Sequence, residues 1–150
     1  MVGIGYDSHR FAPGRRLVLG GVEIEHELGL AGHSDADVLT HAVIDALLGA
    51  AGGGDIGTMF PDDDPRWKDA DSLDMLRTVV GTIAGSVENI DATLICEQPR
   101  LGPYRAEMER ALADVTSARV GVKATSNEGM GWVGRGEGIA CLAVASVNSE

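Results

Sequence analysis

Apolar and polar positions follow two different periods along this chain, and the switches between them mark its elements. Val38, Leu39, Ala42, Val43, Ala46, Leu47 and Ala50 keep the three-to-four spacing of a helix packed on a core. Ser34 followed three residues later by Asp37 resembles a capping box, so the spacing predicts a helix that starts at Ser34 and stops before Gly52-Gly53-Gly54. Leu73, Leu76, Val79, Val80 and Ile83 predict a second helix over 72–83. Met108, Ala111 and Leu112 predict a third over 104–115. Strands are expected at Val2 to Tyr6, 90–96, 120–124 and 139–147, and Leu17–Leu19 and Val22–Ile24 flank Gly20-Gly21 as a hairpin around a primed turn. The last strand is nearly all apolar. It has to be covered on both faces, by helices of this chain or by another subunit.

Strands interleaved with helices predict an α/β fold. The expected architecture is an α+β two-layer sandwich: a mixed sheet of about four to five strands with three helices on one face. With 150 residues, 44% of them hydrophobic, and no repeat or linker, residues 1–150 are expected to form a single domain. Three helices leave the other sheet face to a partner, so a homo-oligomer is expected. A net charge of -11 argues against nucleic acid or an anionic membrane as partner, and a phosphate-bearing substrate would need a local cation. No apolar run reaches membrane-span length, and Gly3, Gly5 and Asp7 interrupt any signal-peptide core, so the expected location is cytoplasmic. Cys96 and Cys141 lack the paired spacing of a zinc ribbon or redox motif and read as buried thiols.

Candidate chemistry gathers at strand ends and at one helix start. Asp7 and His9 are two apart in an extended segment, so both face one side and form a two-ligand half-site. A third ligand would leave a coordination position open, as in catalytic zinc sites; a turn-capping Asp beside a surface His has the same spacing. On the first helix Ser34, Asp37, His41 and Asp45 share an edge, placing His41 one turn from two carboxylates. Such a histidine is either a metal ligand or a satisfied, partly buried side chain. His33, next to the expected helix start, could bind a phosphate as readily as cap. The acidic loop 55–65 has the length of a functional or mobile segment. Thr125-Ser126-Asn127-Glu128 leaves a strand end with groups suited to a phosphate and its metal, or to capping a turn. The glycines from Gly129 to Gly138 do not follow a strand and open a helix, which excludes a dinucleotide fingerprint and a P-loop.

Gly5 to His9, Gly32-His33-Ser34-Asp35-Ala36-Asp37-Val38 with His41, Asp45 to Gly49, Gly54 to Gly57, Phe60-Pro61-Asp62, Lys123-Ala124-Thr125 and Gly134 to Ala140 occur in one order and spacing. In these motifs, and nearly end to end, the chain resembles the 2-C-methyl-D-erythritol 2,4-cyclodiphosphate synthase family. The resemblance implies a homotrimer with active sites between adjacent subunits. It implies zinc, or another divalent transition metal, on Asp7, His9 and His41, and a second divalent ion, Mg2+ or Mn2+, at Glu128. The implied reaction converts 4-diphosphocytidyl-2-C-methyl-D-erythritol 2-phosphate into the cyclic diphosphate and CMP, within non-mevalonate isoprenoid biosynthesis. His33 and Ser126 would steady charge in the transition state, with His33 and Ser34 on the methylerythritol phosphate end. Asp55, Ile56 and Gly57 would meet the ribose side, and Phe60, Pro61, Asp62, Asp63 and Asp64 the erythritol side. Cys96, Glu97, Gln98, Pro99, Arg100, Leu101 and Gly102 would enclose cytosine and its phosphate together with Thr125, and Asn127 is a further expected substrate contact. Trp132 and Arg135 complete the expected substrate contacts. Arg135 with Glu137 falls where the family lines its trimer axis, a place for an isoprenoid-like ligand.

The chain departs from the usual pattern at Ser126 (commonly Thr), at Arg100 and Gly102 in the cytosine loop, and at Trp132, but at none of the implied metal ligands. Two other readings use the same residues. One is an Asp/His-ligated metal phosphohydrolase, which would give CMP and a linear product. The other is a non-catalytic isoprenoid-binding trimer, whose ligand binding would survive His41→Ala.

Overall fold

A computed structural model describes residues 1–149. The strands β1 (Val2–Ala12), β2 (Leu17–Leu19), β3 (Val22–Ile24) and β4 (Gly29–Leu30) come first, followed by α1 (Val38–Ala51) and α2 (Ile56–Met59). Then come α3 (Ser72–Thr82), β5 (Ser86–Ile95), α4 (Arg105–Thr116), β6 (Arg119–Thr125), α5 (Gly131–Gly134) and β7 (Gly138–Asn148), with 3-10 turns at Pro65–Trp67 and Gly102–Tyr104. Five strands form one mixed sheet in the order β4-β1-β7-β5-β6, in which only β5 and β6 run parallel. The hairpin β2-β3 is a separate two-stranded sheet around Gly20 and Gly21, both at positive φ as a primed turn requires.

The helices lie on one face of the large sheet, α1 over β1 and β7 and α4 over β6, with α3 packed against both. The register of α1 on β1 is set by two glycines. A Cβ at Gly3 would fall 2.0 Å from the Ala46 carbonyl oxygen, and one at Gly5 would fall 2.0 Å from that of Ala42. With no side chain at either place, the helix rests directly on the strand backbone. Gly3, Gly5, Asp7 and His9 share that face, and the helix descends it from Ala46 to Ala42, so His41, the residue just before Ala42, comes to Asp7.

The first helix begins later than the capping-box spacing predicts. Its N-cap is Asp37, whose carboxylate accepts from the Thr40 N–H, while Ser34 lies in the loop before it. Asp37 is fully buried and also accepts from the Gly20 and Gly21 amides and from the Thr40 and Ser72 hydroxyls. A buried carboxylate with that many donors joins the hairpin, α1 and α3, and this demand outweighs a helix start at Ser34. Asp37 and Asp45 therefore do not serve His41 as the shared edge suggests. Asp45 instead accepts from the Ile56 amide and holds α2 against α1.

Two further expectations change. The first strand runs on to Ala12, so Asp7 and His9 sit within it rather than past its end. The acidic loop is not structureless, since it carries α2 and the turn at Pro65–Trp67. The nearly all-apolar β7 is covered on one face only within this chain. On the other face Leu142 and Val144 are exposed beside Ile4 and Tyr6, their β1 pairing partners.

Candidate active site

Asp7, His9 and His41 form one cluster. Their ligand atoms lie within 4.8 Å of one another, and among the described residues this is the one group of His, Cys, Asp or Glu placed to share an ion. Asp7 Oδ2 is 2.9 Å from His9 Nε2 and 3.3 Å from His41 Nδ1. Asp7 Oδ2 and His9 Nε2 are nevertheless buried atoms without a well-directed hydrogen bond. Buried polar atoms are rarely left so, and here both are aimed at one point.

The opposite nitrogen of each ring is occupied. His9 Nδ1 lies 2.8 Å from the Ala31 carbonyl oxygen, an acceptor only, so Nδ1 carries the hydrogen and Nε2 keeps its lone pair. His41 Nε2 lies 3.1 Å from Ser34 Oγ, which leaves Nδ1 for the shared point. Two imidazole nitrogens and a carboxylate oxygen, each ring oriented from behind, fit a divalent transition metal with a free position. Burial works against the charge on Asp7, but the His41 and His9 rings outweigh it and hold its pKa below the ordinary carboxylate value. Burial likewise disfavours His9 as a cation, and the Asp7 carboxylate overrides it, so His9 titrates above the usual histidine value.

The cluster faces a cleft of about 450 Å³. His33 and Ser34 line it on one side; Ile56, Gly57, Phe60, Pro61, Asp62 and Asp63 line it on the other. Trp67 meets Phe60 edge to face, their ring centres 4.6 Å apart, and gives the cleft an aromatic wall. His33 is tethered through Nε2 to the Asp64 carbonyl oxygen at 2.9 Å. The carboxylates of Asp55 and Asp64 are engaged locally, Asp55 by Thr58 at the start of α2 and Asp64 by Arg66.

A second cleft, of about 560 Å³, opens toward the β6 edge of the sheet. It is lined by Cys96 to Pro103, Arg105, Ala124, Thr125 and Ser126. Asn127 and Glu128 follow in a turn beside it, with Glu128 exposed. Cys96 is buried and its thiol pKa is pushed up to about 12, first by that burial and then by the Glu97 charge. Trp132 lines a third depression with Ser8, Arg10, Phe11 and Glu137, while Arg135 pairs with Glu137 at 2.7 Å.

Sequence reasoning thus names residues of both clefts, but one chain does not bring them together. The register places Asp7 beside Cys141 and Leu94, and Ile95 beside Thr125, so both clefts lie at the same end of the sheet. From β1 to β6 is three strand steps, about 14 Å. Sequence reasoning missed Arg15. Its guanidinium donates to the Gly32 and Ser34 carbonyls at 3.0 and 2.7 Å and so braces the peptide on either side of His33. An arginine next to a Pro-Gly turn carries no signal of that role.

The YgbB family model matches residues 1–148. The chain is 56% identical over 153 residues to a 2-C-methyl-D-erythritol 2,4-cyclodiphosphate synthase of Symbiobacterium thermophilum, covering 98% of this chain and 98% of that one. A solved synthase of the same name, in a form bound to CDP, superposes with a TM-score of 0.88 at 34% identity, over 99% of this chain and 100% of its own. The bifunctional IspDF from Campylobacter jejuni superposes with a TM-score of 0.91 at 40% identity, over 96% of this chain and 41% of that larger one. Matched over nearly all its length by the family model and by a relative more than half identical to it, this chain belongs to the YgbB family, alongside the 2-C-methyl-D-erythritol 2,4-cyclodiphosphate synthases.

Proposed function

We propose that the chain converts 4-diphosphocytidyl-2-C-methyl-D-erythritol 2-phosphate into 2-C-methyl-D-erythritol 2,4-cyclodiphosphate and CMP, a step of non-mevalonate isoprenoid precursor biosynthesis. One observation carries the reading: a half-buried to buried cluster of Asp7, His9 and His41 opens on a substrate-sized cleft, in a chain so close to a named synthase. In the reaction an oxygen of the 2-phosphate bonds to the β-phosphorus. The bond from that phosphorus to the bridging oxygen breaks, and CMP leaves with the bridging oxygen. Attacking and leaving groups are both anionic, so the barrier falls by alignment and by neutralising charge.

Asp7 Oδ2, His9 Nε2 and His41 Nδ1 would hold the first ion, with zinc favoured by the donor set. Glu128 would hold Mg2+ or Mn2+, since one carboxylate plus substrate phosphates is the usual share of such ions. Bound in these places, the two ions supply Lewis acidity and a template for the phosphates. His33 and Ser34 orient the phosphate of the methylerythritol end, and Phe60 to Asp64 with Trp67 keep water from it. Asp55 and Gly57 take the ribose, while Cys96 to Gly102 with Thr125 enclose the cytosine. Ser126 donates its hydroxyl where charge develops, opposite His33.

The reading includes a homotrimer with each active site shared between neighbours. Two observations support it: the two clefts are apart in one chain, and Ile4, Tyr6, Leu142 and Val144 leave an apolar sheet face uncovered. Residues 1–150 act as one domain in it. Arg135 and Glu137 would line the threefold axis, where an isoprenoid-like ligand is accommodated. Unpaired Cys96 and Cys141 suit the reducing cytoplasm.

The test is phosphorus NMR of the purified protein with 4-diphosphocytidyl-2-C-methyl-D-erythritol 2-phosphate and magnesium, before and after chelation. Equal amounts of CMP and cyclic diphosphate, lost on chelation and restored by zinc, are expected. A linear diphosphate beside CMP would make the protein a hydrolase instead.

A further inference from the structure

Glu97 stands at the end of β5 and reaches across to the turn after β6. Its carboxylate accepts from the Asn127 amide at 2.5 Å and from the Gly129 amide at 3.2 Å. The amide between them, that of Glu128, donates to Ser126 Oγ at 3.2 Å. Glu128 and Gly129 are consecutive residues with positive φ, 55° and 72°. Successive amides in such a conformation form a concavity that holds an anion, and here the anion is a side chain of the chain itself. The left-handed conformation is unfavourable at Glu128, which is not glycine, so the turn needs an outside hold to persist.

Glu97 also belongs to the segment that lines the second cleft, while Thr125 and Ser126 line its far wall. We infer that Glu97 is a positioning residue that locks the Ser126–Gly129 turn onto the Cys96–Gly102 segment, so that the two loops bind a nucleoside diphosphate as one rigid receptor. The inference rests on the proposed reading of the second cleft as the nucleotide site. Its carboxylate is committed to the turn, so it acts through Ser126 and Glu128 rather than by touching the base.

Glu97→Gln tests this at constant size. The amide keeps one acceptor oxygen and puts a donor where the second stood, so one of the two bonds is lost. The measurements are calorimetric titration with CDP in the presence of Mg2+, hydrogen exchange of the 126–130 segment, and the zinc content of the protein. In Glu97→Gln the segment is expected to exchange faster and CDP to bind about tenfold more weakly, with zinc content and thermal midpoint unchanged. Glu97→Asp, which keeps both acceptors, should recover part of the affinity. Faster exchange with unchanged CDP affinity would overturn the inference and leave Glu97 a purely structural tie. Unchanged exchange would overturn it as well. Failure of the wild-type protein to bind CDP would sink the reading of the cleft, and the inference with it.

Discussion

The two clefts are built from different material. The one that holds the Asp7, His9 and His41 cluster stands on a long strand and a long helix, its donors are half-buried or buried, and each ring is fixed from behind by Ala31 or Ser34. The second is made of loops at strand ends, and its polar residues Thr125, Ser126 and Glu128 are exposed. A charge-handling site gains from rigid elements, because donors aimed in advance cost no reorganisation when charge develops. A cleft walled by loops keeps its shape only where ties such as the Glu97 carboxylate hold them.

His41→Ala would break the contrast most sharply. It should abolish retention of zinc and lower turnover by on the order of 10^3-fold, the several kcal/mol that a bound ion contributes. CDP titration of the second cleft should change little. Parallel metal analysis and calorimetry check both; loss of CDP binding as well would mean that the clefts are one unit.

Gly5→Ala tests whether the first cleft depends on the strand and helix beneath it. The added Cβ would lie 2.0 Å from the Ala42 carbonyl oxygen, so α1 must lift from β1. Chemical denaturation should show a loss of about 3 kcal/mol, at the upper end for overpacking, and His41 should be carried away from Asp7, with weaker metal retention. Gly57→Ala, where an added Cβ would meet only the Asp55 carboxylate at an ordinary contact distance of 3.6 Å, is the control and should leave stability nearly unchanged.

Ser34→Ala removes only the hydroxyl behind His41. Metal affinity should fall by about 10- to 100-fold, the usual cost of losing an outer-shell partner, as read by competition with a chelator. An unchanged affinity would show that helix packing alone orients His41.

The smallest effect is on pH dependence. In the metal-free protein His9 titrates above its unfolded value, so its contribution to stability is complete below the unfolded pKa and is lost as pH rises through the folded one. Metal binding displaces that proton, so affinity for zinc should rise over the same interval. Thermal midpoints across pH 5 to 9 should therefore slope differently with and without metal, and His9→Gln should remove the difference.

Much of this was legible along the chain. The stripes of α1, α3 and α4, the hairpin at Gly20-Gly21 and the pairing of Asp7 with His9 are local periods, and a local period is visible to anyone reading the sequence. The role of Asp37 was not legible. Ser34 and Asp37 satisfy a capping pattern, but the helix begins after Asp37 because donors from Gly20, Gly21 and Ser72 converge on it. The brace made by Arg15 and the tie made by Glu97 were not legible for the same reason: an arginine in a turn and a glutamate at a strand end reveal no such role until their partners arrive from 17 to 32 residues away.

What the sequence determined by itself is the three long helices, the main strands with the Gly20-Gly21 hairpin, the face of β1 that carries Asp7 and His9, and the family, because each depends on residue order alone. Spacing left His41 either a ligand or a satisfied side chain, and the family resemblance named it as the third ligand; the contact itself comes from the tertiary structure, since it depends on α1 settling onto Gly3 and Gly5 in one register. The tertiary structure also decided that the two clefts stand about three strand steps apart, because strand order in a sheet is set by long-range pairing that no local pattern encodes.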